Sequence, residues 1–380
     1  MKITGLYVYP IKGLRGIKLK TAPIGPQGVR YDRTFVLLHY EAEADVKRKL
    51  SLSSNPECAL FSQTIVDLDS DSAEPTLVVR YHTPPEPLLP HNPAHDEPLR
   101  IPLEPDFFDL PQMEVNLYGS AACGYRMGDP YDAWFSKCFG VPVALVYLGD
   151  GQRRVLGTAA ETAQRARALL AGSPSMLHRL YDWAVGAPPA PVDWITWSDA
   201  APFLVATEAS LAAVQTRMPS SRLSMVRFRP NIVVDGDAGA PWDEDFWAAL
   251  TVVGGGVGGA GRRRPVFALT ANCARCTSLN VDYRTGRVAA GERGAVLRAL
   301  MRDRRVDTGN RWSPVFGRYA YLVGAQSNSS DGDGGVQTAE LEEIEISLGD
   351  KVQVVQRNEK RDVWDWPTAN QQVAIKAKRG

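Results

Sequence analysis

CARCTSLNVDYRTG, residues 273–286, carries the densest chemistry in this chain and sets the reading of everything around it. The apolar run at 265–269 leads into it as a strand, and residues 277–286 read as a further strand and a turn. A cysteine thiolate is a soft donor that suits metals bound through sulfur. Arg275, between Cys273 and Cys276, favours a thiolate, because a nearby cation lowers the pKa of a thiol. The pair alone leaves several chemistries open. A structural zinc site needs four ligands, and the sequence has neither a second CxxC nor a neighbouring His pair. A redox pair of thioredoxin type belongs at a strand-to-helix turn, which the residues after Cys276 do not suggest. Two cysteines packed as small hydrophobes fit the spacing equally well.

Outward from this stretch, β patterns prevail. Residues 3–9 alternate loosely and stop at Pro10, and 33–38 form a second apolar run. Strands are also expected at 77–81, 100–102, 114–118, 142–147, 231–234 and 352–355, with a proline-rich loop across much of 70–105. Helices are expected at 129–139, burying Trp134 and Phe135, and at 174–185. Another is expected at 206–218, with Leu211 and Val214 on one face. The clearest helix signal begins at Thr158, where Glu161 completes a capping box, and runs to Leu170 with Gly172 as its stop. Pro188, Pro189 and Pro191 mark a boundary. The glycine-rich 254–265 reads as a hairpin tip, since it lacks the Lys-Ser/Thr ending and following helix of a phosphate loop. Residues 325–340 read as a flexible insertion, and the polar tail from about 357 extends over the surface or is disordered.

The 380 residues suffice for two modest domains, and 44% apolar content supports a substantial core. Lys plus Arg and Asp plus Glu are 43 each, so the chain lacks the positive excess needed for broad binding to nucleic acid or anionic membranes. No stretch is long and apolar enough to form a transmembrane segment, and MKITGLYVYPIKG does not read as a signal peptide. Five scattered cysteines suit a reducing compartment better than a disulfide framework.

The segment 273–286 resembles the signature of the MOSC family, named for the C-terminal domain of molybdenum cofactor sulfurase. Further matches follow in the family's order: YPIKGLRG (9–16), YDRTF (31–35), SDAAPFLVATEASL (198–211), FRPNIVV (228–234), SPVFGRYA (313–320) and LGDKVQVV (348–355). Within the family the chain looks most similar to the amidoxime reducing components and their bacterial single-chain relatives. The resemblance implies a mostly β fold with peripheral helices (α+β). It implies an N-terminal β-barrel-like domain over 1–150, a helical connection over 151–190, a C-terminal MOSC β-barrel over 191–357 and a polar tail over 358–380. A small-ligand cleft would lie between the barrels.

The same resemblance implies a molybdenum cofactor, in which molybdenum is held by the dithiolene of a pterin (molybdopterin) and by Cys276 as the sole protein ligand. Cys273 would then only support the loop. Lys12, Arg33, Arg229 and Asn231 would bind the anionic cofactor, with Arg275 beside them and backbone N–H groups of Gly13, Ala200 and Ala201 in reserve. Gly13 stands where the family often has Ser, and Ala200-Ala201 replaces a Thr-Ser dipeptide, so hydroxyl contacts are missing at both places. Asp199 joins Cys276 as an expected catalytic side chain. Read singly, Lys12 is equally a solvated charge, Arg229 a turn brace and Asp199 a helix cap. The implied activity is that of an oxidoreductase reducing small N-hydroxylated or related N–O and S–O compounds. A separate electron-donor protein, cytochrome b5-like or a flavoprotein, would supply electrons, because the chain carries no haem, flavin or iron–sulfur motif. The alternative is a molybdenum cofactor or sulfur carrier module without reductase activity. The expected location is cytoplasmic, with mitochondrial association as the variant that kin suggest.

Overall fold

Loose alternation at the start of the chain forms the strand Ile3–Val8, and its neighbours come from both ends of the sequence. It pairs antiparallel with Ile17–Leu19 on one side and with Ile232–Val234 on the other. The computed structural model describes residues 1–41, 46–67, 74–170, 194–237, 239–254, 263–326, 336–337 and 343–367. The expected helix at 174–185, the prolines after it, the centre of the glycine-rich 254–265, most of 325–340 and the tail from 368 lie outside the described residues.

From Ile232–Val234 the sheet continues through Phe203–Thr207, Val315–Gln326, Arg264–Ala274 and Trp247–Val253 to Lys351–Arg357, with Val336–Gln337 attached at the side. Among the described strands of this sheet, only Phe203–Thr207 and Ile232–Val234 pair in parallel, and the helix Glu208–Gln215 lies in the crossover between them. The register between Arg264–Ala274 and Val315–Gln326 shifts in three places. Such bulges bend a strand and increase its twist, and this sheet is curled into a half-barrel. Alternation then sorts the side chains: Phe203, Val205, Phe267, Leu269 and Leu322 fill the core of the curl, while Leu204, Ala268 and Tyr321 face another cluster.

A second, five-stranded antiparallel sheet runs Gln112–Leu117, Ser120–Arg126, Val143–Tyr147, Phe35–Glu41 and Val46–Lys49. It shares a core with the three-stranded sheet Phe61–Val66, Thr76–Tyr81, Leu99–Pro102 and the helix Tyr131–Phe139, which buries Trp134 and Phe135 as its sequence predicts. A small sheet joins Thr21–Gly25 to Ile344–Ser347, so the first thirty or so residues are woven into strands from the far end of the chain. The fold is mostly β, with an N-terminal β-barrel-like part, a C-terminal barrel and helices at the periphery.

Three local expectations change. Ala206 and Thr207 end a strand instead of opening the helix, because Thr207 is extended and caps Glu208–Gln215 by accepting from Ser210 N at 3.1 Å. Residues Thr277–Asn280 form a 3-10 turn before the short strand Val281–Asp282. At the helix Ala159–Leu170, the Thr158 N–H donates to Asp365 Oδ2 at 2.8 Å, while Glu161 pairs with Arg165 at 3.6 Å. A carboxylate from the tail thus takes the N–H that the capping box assigns to Glu161.

The curl is tied at one end by Asp245, which is fully buried and accepts from Arg304 at 2.8 and 2.9 Å and from Arg361 at 2.8 Å. Removing one partner of a buried ion pair leaves an uncompensated charge. Asp245→Ala is expected to lose about 3–5 kcal/mol of unfolding free energy, checked by denaturant titration. A loss below about 1 kcal/mol would show that solvent reaches these arginines.

Candidate functional site

The strand Arg264–Ala274 carries Cys273 inward and delivers Cys276 to the surface of a cleft. Cys273 is buried and Cys276 is exposed. Arg275 donates from one terminal nitrogen to Cys273 Sγ at 2.8 Å and from the other to Phe228 O at 2.9 Å. The Cys276 Sγ lies 3.2 Å from Ser278 Oγ and faces open space. The two thiols of the CxxC therefore differ in surroundings: one is packed beneath a guanidinium, the other is exposed. Among the described residues no group of three or more His, Cys, Asp or Glu side chains gathers as a metal held by protein side chains alone would need.

Arg33 and Arg229 converge from different halves of the chain, and each guanidinium lies 4.4 Å from the centre of the Tyr9 ring. Both residues hold left-handed backbone conformations, with φ of 51° and 55°. Such conformations cost about 1–3 kcal/mol in a non-glycine residue and persist only when surroundings impose them. Tyr9 donates its hydroxyl to Pro230 O at 3.1 Å, and its backbone N–H donates to Asp32 Oδ1 at 2.9 Å. Burial raises the Asp32 carboxyl above its ordinary value, opposed by the adjacent Arg33, which donates to it at 2.5 Å. Asn231 Oδ1 accepts from Arg33 at 3.1 Å and from Leu204 N at 3.1 Å, and Nδ2 donates to Tyr7 O at 3.3 Å. Its amide is committed to holding Arg33 and two strands.

Lys12 follows the first strand, is nearly buried, and contacts Asp199 Oδ1 at 2.5 Å. Burial pulls the Lys12 ammonium down to about 7, with Asp199 opposing the shift and Lys49 adding to it. The Asp199 side chain is about half exposed (52%) and lines the cleft. Desolvation works against its charge, but Lys12, Lys49 and Arg33 outweigh that and hold the carboxyl well below the usual carboxylate range. Tyr118 donates its hydroxyl to Asp199 at 3.1 Å, and Lys49 Nζ lies 3.3 Å from the Tyr118 ring centre. Asp199 caps no helix, since the next one begins at Glu208. Ala200 and Ala201 are buried beside it, with Tyr321 donating to Ala200 O at 2.9 Å. Gly13 has φ of +94°, and a Cβ there would stand 3.2 Å from Leu50 O. The backbone geometry thus favours glycine here.

The expected residues line two adjoining spaces that share Cys276, Asp199 and Arg275. The smaller, about 90 Å³, contains Arg33, Arg229, Asn231 and Ser198. The larger, about 600 Å³, contains Lys49, Tyr118, Trp364 and Trp366. Lys12 and Gly13 stand behind this surface, Lys12 reaching it through Asp199.

Several residues were not legible as site residues in sequence. Arg153 is completely buried and donates to the carbonyls of Thr196 at 3.1 Å, Asp199 at 3.0 Å and Ser198. Burial lowers its pKa to about 10. Nothing in the spacing of Arg153, Lys49 or Tyr118 points here. Trp364 and Trp366 did carry a signal: two tryptophans in an otherwise polar tail.

Residues 1–142 match the model of the MOSC N-terminal beta barrel domain, and residues 192–353 match that of the MOSC domain. The chain belongs to the MOSC family. It is 22% identical over 294 residues to molybdenum cofactor sulfurase of Oryza sativa subsp. japonica, covering 75% of this chain and 29% of that protein. It is 25% identical over 330 residues to mitochondrial amidoxime-reducing component 1 of Homo sapiens, covering 84% of this chain and 78% of that protein. The mouse counterpart is 24% identical over 329 residues, with 84% and 77% covered. The chain thus spans less than a third of the rice sulfurase. Among the described residues, no helix of this MOSC protein is long and apolar enough to cross a membrane.

Lys12 provides a direct check on the electrostatics. Its folded value of about 7 lies below the ordinary 10.5, so folding penalises the charged form. That penalty is complete below pH 7 and is relieved as pH rises toward 10.5. NMR titration of labelled lysine is expected to show the Lys12 ammonium with a midpoint near 7. Asp199→Asn is expected to move it lower still, because the carboxylate supports the charge. A midpoint in the ordinary lysine range would mean that water reaches Nζ.

Proposed function

We propose that this MOSC protein is a molybdenum cofactor-dependent oxidoreductase that reduces small N-hydroxylated or related N–O compounds, with Cys276 as the protein ligand of the metal. One observation carries the reading: an exposed cysteine sulfur lies where a cation-lined recess meets a larger open cleft.

The residues present fit such a group. Its phosphate is anionic and its pterin ring offers hydrogen-bonding edges, and the recess supplies Arg33, Arg229 and Arg275. Ser198 Oγ and Arg275 Nε are buried there without partners, so each has hydrogen-bonding capacity to give a ligand. Lys12 and Arg153 add positive charge from behind through Asp199. Asn231 acts by fixing Arg33, and the Ala200-Ala201 pair offers backbone N–H groups only.

When bound beside Cys276, molybdenum would supply two-electron redox chemistry. The balanced conversion breaks the N–O bond, takes up two electrons and two protons, and releases the oxygen as water. Electrons come from a separate electron-donor protein. Lys12 stands behind the cleft surface and donates to Asp199, which lines the cleft and also accepts from Tyr118.

Protein made in a host that synthesises the cofactor is expected to contain molybdenum by elemental analysis. Cys276→Ala and Arg229→Ala are each expected to lose most of it while keeping the wild-type circular dichroism spectrum. Loaded wild type, given a chemical reductant, is expected to convert benzamidoxime to benzamidine. Full cofactor retention in Arg229→Ala would overturn the anion site. A Cys276 persulfide in the mass spectrum with no turnover would replace the reductase reading with the sulfur-carrier one.

A further inference from the structure

We propose that the segment Asp362–Pro367 forms a specificity wall, an aromatic slot beside Cys276 that selects planar aromatic N–O substrates over small aliphatic ones. The proposal rests on the reductase reading above. It concerns residues beyond the match to the MOSC domain, which ends at 353.

The segment is pinned along its length. Asp362 pairs with the buried Arg318, and its carbonyl accepts from Asn272 at 3.0 Å. The Trp364 N–H donates to Asp307 Oδ1 at 2.9 Å, Asp365 accepts from Thr158 N at 2.8 Å, and Trp366 Nε1 donates to Tyr118 O at 3.0 Å. At Gly309 a Cβ would meet the Trp364 carbonyl oxygen at 1.8 Å, so only glycine lets the tail lie this close. These anchors come from the sheet, the 300s loop, the helix Ala159–Leu170 and the N-terminal half, which makes the tail a strap across the cleft.

The strap presents aromatic faces to the site. The Trp364 and Trp366 rings are within 16° of parallel with centroids 6.2 Å apart, and Trp364 lies 5.9 Å from the Tyr319 ring. All three line the same space of about 600 Å³ as Cys276. That volume suits a ligand of drug-like size. An aromatic ring against such faces gains contact that an aliphatic chain of few atoms cannot match.

The test uses cofactor-loaded full-length protein with benzamidoxime and acetamidoxime. Calorimetry of wild type is expected to show benzamidoxime binding at least about tenfold more tightly, an energy difference of about 1.4 kcal/mol. Trp364→Ala and Trp366→Ala are expected to lower the benzamidoxime-to-acetamidoxime ratio of kcat/KM about tenfold, through KM. Trp366→Phe, which keeps an aromatic face and loses only the bond to Tyr118 O, is expected to restore most of it. Equal affinity of wild type for the two amidoximes overturns the slot, as does an unchanged kcat/KM ratio in both Ala variants. Selective binding without turnover of either compound keeps the slot and overturns the reductase reading instead. If the Ala variants misfold, the wild-type affinities alone decide.

Discussion

Asn231 is 1% exposed and uses its whole amide inside the protein. Its side chain accepts from Arg33 and Leu204 and donates to Tyr7, while its backbone N–H donates to Leu204 O and its carbonyl accepts from Tyr7 N. One residue therefore joins the first strand of the chain, the parallel strand pair of the C-terminal barrel and the arginine between them. Loss of either partner would strand buried polar groups, which is costly in a low-dielectric interior. The position of Arg33, and through it the cationic recess, depends on this knot.

Around the recess, burial and like charge oppose one another. Lys12, Arg33, Arg153, Arg229 and Arg275 crowd a small region in which Asp32 and Asp199 are the nearby carboxylates. Desolvation lowers the pKa of Lys12 and Arg153, and Arg33 and Arg229 are held in left-handed backbone conformations. An arrangement that concentrates positive charge at such expense is suited to receive an anion, which would relieve the repulsion. Cys276, unlike Cys273, is left outside the network of internal hydrogen bonds to guanidinium groups.

The C-terminal strap adds a second layer. Its contacts run to Arg318, Asp307, Thr158 and Tyr118, residues far apart in sequence. The tail reads as polar because charged and polar residues dominate its composition, but within its described part Trp364 and Trp366 pack while Val363 is exposed. Average polarity conceals this, since packing depends on where two side chains point and not on the mean of a segment.

Strands as central as Phe203–Thr207, Trp247–Val253 and Val315–Gln326 carried no expectation, but by itself the sequence determined the β-dominated class, a minority of the strand positions and the family signature around Cys276. Short-range patterns suffice for these, because strand periodicity and motif order are written in consecutive residues. It could not decide which thiol of the CxxC faces the cleft, what Arg275 touches, or that Asn231 braces Arg33. The Asp365 carboxylate that accepts from Thr158 N at the start of the helix Ala159–Leu170 and the walls contributed by Arg153, Lys49 and Tyr118 were equally hidden. Each of these depends on contacts between residues tens to hundreds of positions apart, as in Asn231 with Tyr7 or Trp366 with Tyr118. Only closure of the curled sheet brings such pairs within reach, and so only the tertiary structure decided them.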